Sequence, residues 1–183
     1  MNEKEVFVFL ANGFEETEAV ATIDILRRGD LRVTTVSISN DLLVTGAHNI
    51  PVKADILFED ADFSNGSMLV LPGGMPGASN LNAHEGLKNL LSSYFLSGKN
   101  VAAICAAPLV LGGLGILKGK SATCYPGFES QLTDAEITRN PAEKDGTVIT
   151  GKGPGYVTDF ALALVAELQG KTKADEVAAG FFP

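Results

Sequence analysis

The sequence predicts an α/β fold, a three-layer sandwich in which a mostly parallel sheet carries helices on both faces. Short β-branched runs alternate with helical patterns along the chain, and several of the short runs are continuously apolar. Strands that are buried on both faces of a parallel sheet have this composition. A length of 183 residues without a linker or repeat predicts a single domain over residues 1–183.

The first half of the chain supplies two strands, one helix and an irregular excursion. The apolar run 6–11 predicts a buried strand, which an Asn-Gly pair ends. Apolar residues at helical spacing predict a helix over 17–28 that stops before Gly29. The β-branched run 32–39 predicts a second strand, and the short extended pieces of 41–60 predict a small antiparallel excursion.

The second half of the chain continues the alternation. The predicted strands cover 67–71, 101–104 and 121–124, and the predicted helices cover 81–96 and 109–117. Two further extended runs, 136–139 and 147–150, flank the turn dipeptide Asp145-Gly146. A last helix, which Gly170 ends, is predicted from the spacing of its apolar residues Tyr156, Phe160, Ala161, Leu164, Val165 and Leu168.

Composition excludes several classes of function. The formal net charge of −8 opposes binding to nucleic acid or to anionic membranes, since both need basic surfaces. Two cysteines and two histidines exclude a disulfide framework and make a metal site a poor hypothesis. The uncharged run 101–117 is too short and too often broken by proline and glycine to span a membrane, and the N-terminus lacks a signal-peptide core. We therefore expect a cytoplasmic protein.

Cys105 is the first candidate for chemistry. It ends a predicted strand and precedes Ala-Ala-Pro and an apolar helix, so it lies at a strand-to-helix turn. Small neighbours permit a tight bend there, and the N-terminus of a helix favours a thiolate. Without that context a buried cysteine is more often inert. Cys124 has no such turn, and we expect it to be a packing residue.

Glu15, Glu16 and Glu18 follow the first strand and form the second candidate. Carboxylates at the start of a helix commonly stabilise its dipole and cap its first turn. The same loop also lies at the carboxyl end of a parallel strand, where open α/β sheets place their sites. A partly buried glutamate at this edge, with a raised pKa, could donate or move protons.

Two glycine-rich segments are further candidates. Gly73-Gly74 follows the predicted strand 67–71, which ends at the same edge of the sheet as the two strands before Cys105 and Glu15. The backbone N–H groups of these glycines could face an oxyanion. The GKGPG segment before the last helix lacks the order of a P-loop, so we favour a structural turn. Because the first turn also lacks G-x-G-x-x-G, the sequence predicts no nucleotide cofactor.

The two histidines give weaker signals. His84 falls in a predicted surface helix and is most simply a solvated residue. His48 lies in the turn TGAHN and remains a candidate site residue. Neither histidine is placed beside Cys105 by the sequence, so a cysteine–histidine pair is neither asserted nor excluded.

Four segments together carry a resemblance over almost the whole chain: FLANGFEETEAV, VLPGGMPGASNL, AAICAAP and GKGPG. In this order and spacing they resemble the ThiJ/PfpI superfamily, in the branch of the Parkinsonism-associated deglycase (DJ-one) and its bacterial relatives. The resemblance implies a flavodoxin-like sandwich that forms a homodimer. It also implies a reactive Cys105 in a strained turn, a protonated Glu18 hydrogen-bonded to the sulfur, and an oxyanion site made by the N–H groups of Gly74 and Ala106.

The chain departs from the pattern of that superfamily at two positions. Tyr125 stands where some members have a histidine after the strand that follows the cysteine turn. His48 stands where the animal branch has an arginine that is implied to approach the partner subunit's site. We treat both residues as candidates for a substrate or dimer site.

The resemblance implies glutathione-independent glyoxalase activity, deglycation, chaperone-like holding and peroxide sensing. We expect Cys105 to attack a small 2-oxoaldehyde such as methylglyoxal, with Glu18 moving protons and no cofactor. The expected partners are therefore a small-molecule carbonyl substrate and a second copy of the chain. The alternative is a redox sensor or holdase that uses the same oxidisable Cys105. A class I glutamine amidotransferase ranks last, since G-x-C-x-G is absent.

Overall fold

A seven-stranded sheet forms the centre of the computed structural model, which describes residues 4–181. The strands are β1 Glu5–Leu10, β2 Arg32–Ser37, β3 Leu43–Thr45, β4 Pro51–Lys53, β5 Ile56–Leu57, β6 Gly66–Leu71, β7 Asn100–Ile104, β8 Ser121–Ala122, β9 Glu136–Ile137, β10 Ala142–Asp145 and β11 Val148–Gly151. The order in the sheet is β10-β11-β7-β6-β1-β2-β5, and only the β10–β11 pair is antiparallel.

Helices cover both faces of this sheet, so the predicted three-layer α/β sandwich is confirmed. The helices are α1 Glu16–Arg28, α2 Gly77–Ala83, α3 Glu85–Leu96, α4 Pro108–Gly113, α5 Val157–Gln169 and α6 Lys171–Phe181. The run in strand β1 is apolar throughout because both faces of the strand are buried. Val8 packs into the core beneath α1 and α5, whereas Phe9 faces the opposite core, which α3 and α4 cover.

Several predicted boundaries were wrong. The predicted helix 81–96 is two helices, because His84 ends α2 and caps α3 by accepting the Leu87 N–H at its Nδ1, 3.0 Å away. His84 also packs against the ring of Phe58, with 4.6 Å between centroids, and so is not simply a solvated helix residue. Histidine is not a favoured cap, so the sequence carried little signal for this break.

The C-terminal third of the chain also differs from the prediction. The hairpin around Asp145-Gly146 joins β10 to β11, whereas β9 pairs in parallel with β8 in a separate small sheet. Gly170 does end α5, but α6 follows it at once and packs against α5 and α1. The predicted excursion does contain an antiparallel pair, β3 with β4, although β5 returns to the edge of the main sheet.

Three loops at the carboxyl ends of β1, β6 and β7 meet at one edge of the sheet. The Glu15 N–H donates to the Gly73 carbonyl at 2.9 Å, which joins the first loop to the second. The Gly77 N–H donates to the Gly13 carbonyl at 3.1 Å, which makes a second link. Within residues 4–181, no helix has the length and apolar character needed to cross a membrane.

Candidate active site

Cys105 occupies a sharp turn between β7 and α4. Its φ of +65° lies in the left-handed region, which is costly for a residue with a side chain. Two hydrogen bonds hold this backbone in place: the Cys105 N–H donates to the Gly151 carbonyl at 2.9 Å, and its carbonyl accepts the Tyr125 N–H at 2.8 Å. Pro108 begins α4, where the first turn tolerates proline. The structure therefore has a strained turn at the cysteine, as the resemblance implied.

Glu18 brings a fully buried carboxyl group to the same turn. Its backbone N–H donates to Oε2 of Glu15, the N-cap of α1, at 2.7 Å, and this bond fixes the first turn of the helix. Its own Oε2 accepts the Gly73 N–H at 2.8 Å, and its side chain interacts with that of Cys105. Among the residues that the structure describes, Oε1 of Glu18 has no hydrogen-bond partner of ordinary geometry.

Gly73 and Gly74 let the second loop reach the sulfur. A Cβ on Gly73 would lie 2.6 Å from the Cβ of Cys105, so a larger residue would displace the cysteine. Gly74 has a φ of +90°, and a Cβ there would lie 2.7 Å from the Gly13 carbonyl oxygen. The N–H groups of Gly74 and Ala106 both lie close enough to the sulfur to lower the pKa of the Cys105 thiol. Their use as oxyanion donors stays a prediction, but the structure brings the two groups together.

The environment of the thiol differs from the one expected from the sequence. Burial, followed by the charge and hydrogen bond of Glu18, raises the pKa of Cys105 to about 12, although the N–H groups of Gly74 and Ala106 oppose this. Burial raises the pKa of Glu18 to about 7, against the opposing effects of the Cys105 side chain and the Gly73 N–H. Burial and Glu18 therefore outweigh the lowering of the thiol pKa that we expected at the start of α4, to which the Ala106 N–H does contribute.

Glu18 and Cys105 consequently titrate as a pair. Two acidic groups in contact do not both ionise easily, so the pair keeps one proton over a wide pH range above about 7. If the proton lies on the sulfur, Glu18 is a carboxylate that can remove it. If it lies on Glu18, the sulfur is already a thiolate facing a hydrogen-bond donor. Both arrangements leave one proton available next to a nucleophilic sulfur.

His48 lies on Glu16 and not on the cysteine. Oε1 of the buried Glu16 accepts the His48 backbone N–H at 2.6 Å, and Oε2 lies 2.8 Å from Nδ1 of the ring. Burial works against the ionised Glu16, but the hydrogen bonds from His48 and Ile50 outweigh it and lower the pKa of the carboxyl. The same side-chain bond raises the pKa of His48. Glu16 thereby ties the β3–β4 turn to the start of α1.

One group of side chains within the described residues has the spacing of a metal site. Ligand atoms of Glu15, Glu16 and His48 lie within 4.8 Å of one another. These carboxylates already have structural roles, since Glu15 caps α1 and Glu16 holds His48. The expectation of no metal therefore stays a prediction.

Tyr125 contributes its backbone to the site, and its half-exposed ring forms one wall of a neighbouring cavity. Cys124, the residue before it, is buried, and burial followed by the charge of Glu129 raises its pKa to about 11. One contributor was missed from the sequence, the Gly151 carbonyl, which holds the Cys105 N–H. The GKGPG segment marked its place, although the pattern of that segment indicated only a turn. Glu15 caps the first turn of α1, which is the structural role that the sequence predicted for a carboxylate there.

Comparisons with known proteins agree on one family. The model of the DJ-1/PfpI family matches residues 4–167. The chain is 41% identical to Protein DJ-1 homolog A of Arabidopsis thaliana over 95% of its own length, and spans only 45% of that protein. It is 36% identical to Protein dj-1beta of Drosophila melanogaster, with 97% of this chain and 96% of that protein covered. The chain thus spans less than half of the plant relative but nearly all of the fly relative.

Solved structures give the same result. The crystal structure of Drosophila melanogaster DJ-1beta matches with a TM-score of 0.94 at 35% identity, over 98% of this chain and 97% of that one. A mutant of a DJ-1 superfamily protein from Salmonella typhimurium matches with a TM-score of 0.93 at 36% identity, over 98% of both chains. These matches confirm the flavodoxin-like α/β fold.

Glu18→Gln should stabilise the protein at pH 8 by roughly 3 kcal/mol, and most of the gain should disappear at pH 5. The pKa of Glu18 rises from 4.5 to about 7 on burial, so the folded state holds a proton that the unfolded chain releases. Stability therefore falls as the pH rises from about 4.5 to 7, whereas glutamine has no proton to lose. Urea denaturation at the two pH values measures this difference.

Glu59→Gln is the control, because Glu59 is an exposed carboxylate in the same chain. It should change the free energy of unfolding little, and by the same amount at both pH values. An equal change at pH 5 and pH 8 for Glu18→Gln would contradict a raised pKa at Glu18.

Proposed function

This chain belongs to the DJ-1/PfpI family, and we propose that it is a cysteine-dependent, cofactor-free enzyme acting on small 2-oxoaldehydes such as methylglyoxal, or on their adducts. One observation carries the proposal: a buried carboxyl with a pKa near 7 contacts a cysteine side chain, and two backbone N–H groups lie close to the same sulfur. A relative in Caenorhabditis elegans, 33% identical over 89% of this chain and 87% of that protein, has the name glutathione-independent glyoxalase.

The first step joins the sulfur of Cys105 to the aldehyde carbon. The electron pair of the sulfur forms the new bond, and the carbonyl electrons move to oxygen. Whichever atom of the pair held the proton before, Glu18 holds it afterwards. The N–H groups of Gly74 and Ala106, which lie close to the sulfur, would stabilise the oxyanion beside it.

The second step moves a proton between the two carbons of the substrate. Protonated Glu18 neutralises the oxyanion to give a hemithioacetal and becomes a carboxylate. It then removes the proton from the aldehyde carbon, and a proton shift between the two oxygens gives an enediolate. Glu18 returns the proton to the neighbouring carbon, which leaves a thioester of the 2-hydroxy acid. Water hydrolyses the thioester and frees Cys105, so the sum is 2-oxoaldehyde plus water to 2-hydroxy acid.

Peroxide sensing is the competing role for the same cysteine. A sensor needs an accessible thiol that is ionised at rest. Cys105 is only 7% exposed, and its sulfur is ionised at neutral pH only when Glu18 holds the shared proton. A substrate that binds next to Glu18 can use the shared proton during the reaction itself, which a sensor does not require. We therefore place catalysis before sensing.

Cys105→Ala should abolish formation of D-lactate from methylglyoxal in the absence of glutathione, because no sulfur remains to form the hemithioacetal. Enzymatic assay of D-lactate measures this. Cys124→Ala is the matched control, since Cys124 is equally buried but the pKa of its thiol is not shifted by Glu18, and it should retain turnover. Full turnover by Cys105→Ala would refute the proposed mechanism.

In the wild type, kcat/KM should rise with pH through about 7. Below that value both Glu18 and Cys105 keep their protons, and the sulfur is a neutral thiol with no base beside it. Glu18→Gln should remove this rise and lower kcat by about 10²–10⁴, the usual contribution of general acid–base catalysis. An unchanged inflection in the pH profile of Glu18→Gln would assign it to another group.

We also propose a homodimer that uses the outer face of α1 and the β3–β4 hairpin. Three large apolar residues there are about half exposed, namely Val20, Leu43 and Ile50. Val20 also lines one groove with Val52 of the hairpin. Covering these side chains would remove apolar surface from water.

Light scattering should give twice the chain mass of 19.1 kDa for the wild type. Val20→Glu should give the single-chain mass, because dimerisation would bury an unpaired charge. Leu96→Glu is the control: Leu96 is more exposed, but it lies on α3 across the sheet. A single-chain mass for the wild type would refute the dimer.

A further inference from the structure

The cavity that the ring of Tyr125 borders lies beside the segments that hold the backbone of the cysteine turn. It has a volume of about 210 Å³ and lies between the ring of Tyr125 and the GKGPG segment. Its lining residues are Tyr125, Pro126, Lys152, Gly153, Pro154, Gly155 and Tyr156. The proposed mechanism uses none of these side chains.

Both walls of this cavity are tied to the backbone of Cys105. On one side, the Tyr125 N–H donates to the Cys105 carbonyl at 2.8 Å. On the other, the Gly151 carbonyl accepts the Cys105 N–H at 2.9 Å, and Lys152 is the next residue in the chain. Hydrogen bonds therefore hold the segments that line the cavity to the backbone of Cys105, the proposed nucleophile.

The lining is aromatic and apolar. Tyr125 and Tyr156 are 45% and 39% exposed, so both rings are accessible to a ligand. The ammonium group of Lys152 lies 5.0 Å from the centroid of Tyr156 and 3.3 Å from the Arg139 carbonyl oxygen, to which it donates a hydrogen bond. Among the residues that the structure describes, no carboxylate lines the cavity. Flat apolar groups fit between surfaces of this kind.

We propose that this cavity is the subsite for the organic side chain of the substrate, and that it selects aryl 2-oxoaldehydes such as phenylglyoxal over methylglyoxal. The inference rests on the proposed function and adds the substrate class. A phenyl ring fits the available volume, since an apolar cavity of about 150 Å³ holds benzene. A methyl group leaves most of the volume unfilled and gains little from it.

Gly155 allows the subsite to be filled without disturbing the fold. It lines the cavity, its φ is outside the left-handed region, and a Cβ there would meet no atom within 4 Å. Gly155→Leu should therefore lower the ratio of kcat/KM for phenylglyoxal to that for methylglyoxal by about tenfold. Gly180→Leu is the control: Gly180 is equally open but lies on α6, and it should leave the ratio unchanged.

A binding experiment separates failure of the subsite from failure of the proposed reaction. Styrene glycol carries the phenyl group without a reactive carbonyl, and propylene glycol carries the methyl group instead. Because the chain has three tyrosines and no tryptophan, and two of the tyrosines line this cavity, tyrosine fluorescence reports occupancy. Styrene glycol should change the fluorescence of the wild type at about tenfold lower concentration than propylene glycol, and Gly155→Leu should remove this preference.

Turnover of methylglyoxal with no aryl preference in either experiment would overturn the subsite and leave the proposed reaction standing. Preferential binding of styrene glycol without turnover of either aldehyde would support the subsite and refute the reaction.

Discussion

The candidate site depends on the unfavourable burial of one carboxyl group, that of Glu18. Glu18 places a carboxyl group beside Cys105 in the interior, where neither group ionises as it would in water. The cost of removing the carboxylate from water raises its pKa towards neutrality, and its charge in turn makes a second ionisation at the sulfur difficult. A single mobile proton at neutral pH is the result. The Cys105 side chain and the Gly73 N–H offset part of this cost at the carboxyl. The remaining cost destabilises the folded protein at the point where chemistry is proposed.

The backbone around this pair explains how the chain tolerates it. Gly73 and Gly74 have no side chain where the loops after β1, β6 and β7 converge, and a Cβ on Gly73 would lie 2.6 Å from Cys105 Cβ and 2.8 Å from Glu18 Oε2. The positive φ of Cys105 is held by bonds to two separate segments, through Gly151 and Tyr125. Strain at a functional residue persists only where its surroundings determine it in this way.

The sequence predicted the fold class and the residues of the pair because both leave local signals. Apolar strand runs and the Ile104-Cys105-Ala106 turn are contiguous in the chain, and the resemblance supplied the partnership with Glu18. The direction of the thiol pKa could not be predicted, since it depends on how completely distant segments exclude water. The break at His84 and the pairing of β9 with β8 were also missed because they involve contacts between segments that are distant in the sequence. The His84 ring packs on Phe58, and β9 takes β8 as its strand partner.

The two histidines show why the acid–base work is assigned to a carboxyl. His48 is held by Glu16 through both its ring and its backbone, and Nδ1 of His84 accepts an N–H at the start of α3. The side chain that shifts the pKa of the Cys105 thiol is that of Glu18, and neither imidazole contributes to the shift. Tyr125 meets the cysteine through its backbone, which leaves its ring to form the wall of the side-chain cavity. With proton transfer proposed for Glu18, the ring of Tyr125 has no part in the proposed acid–base chemistry and can serve the proposed subsite instead.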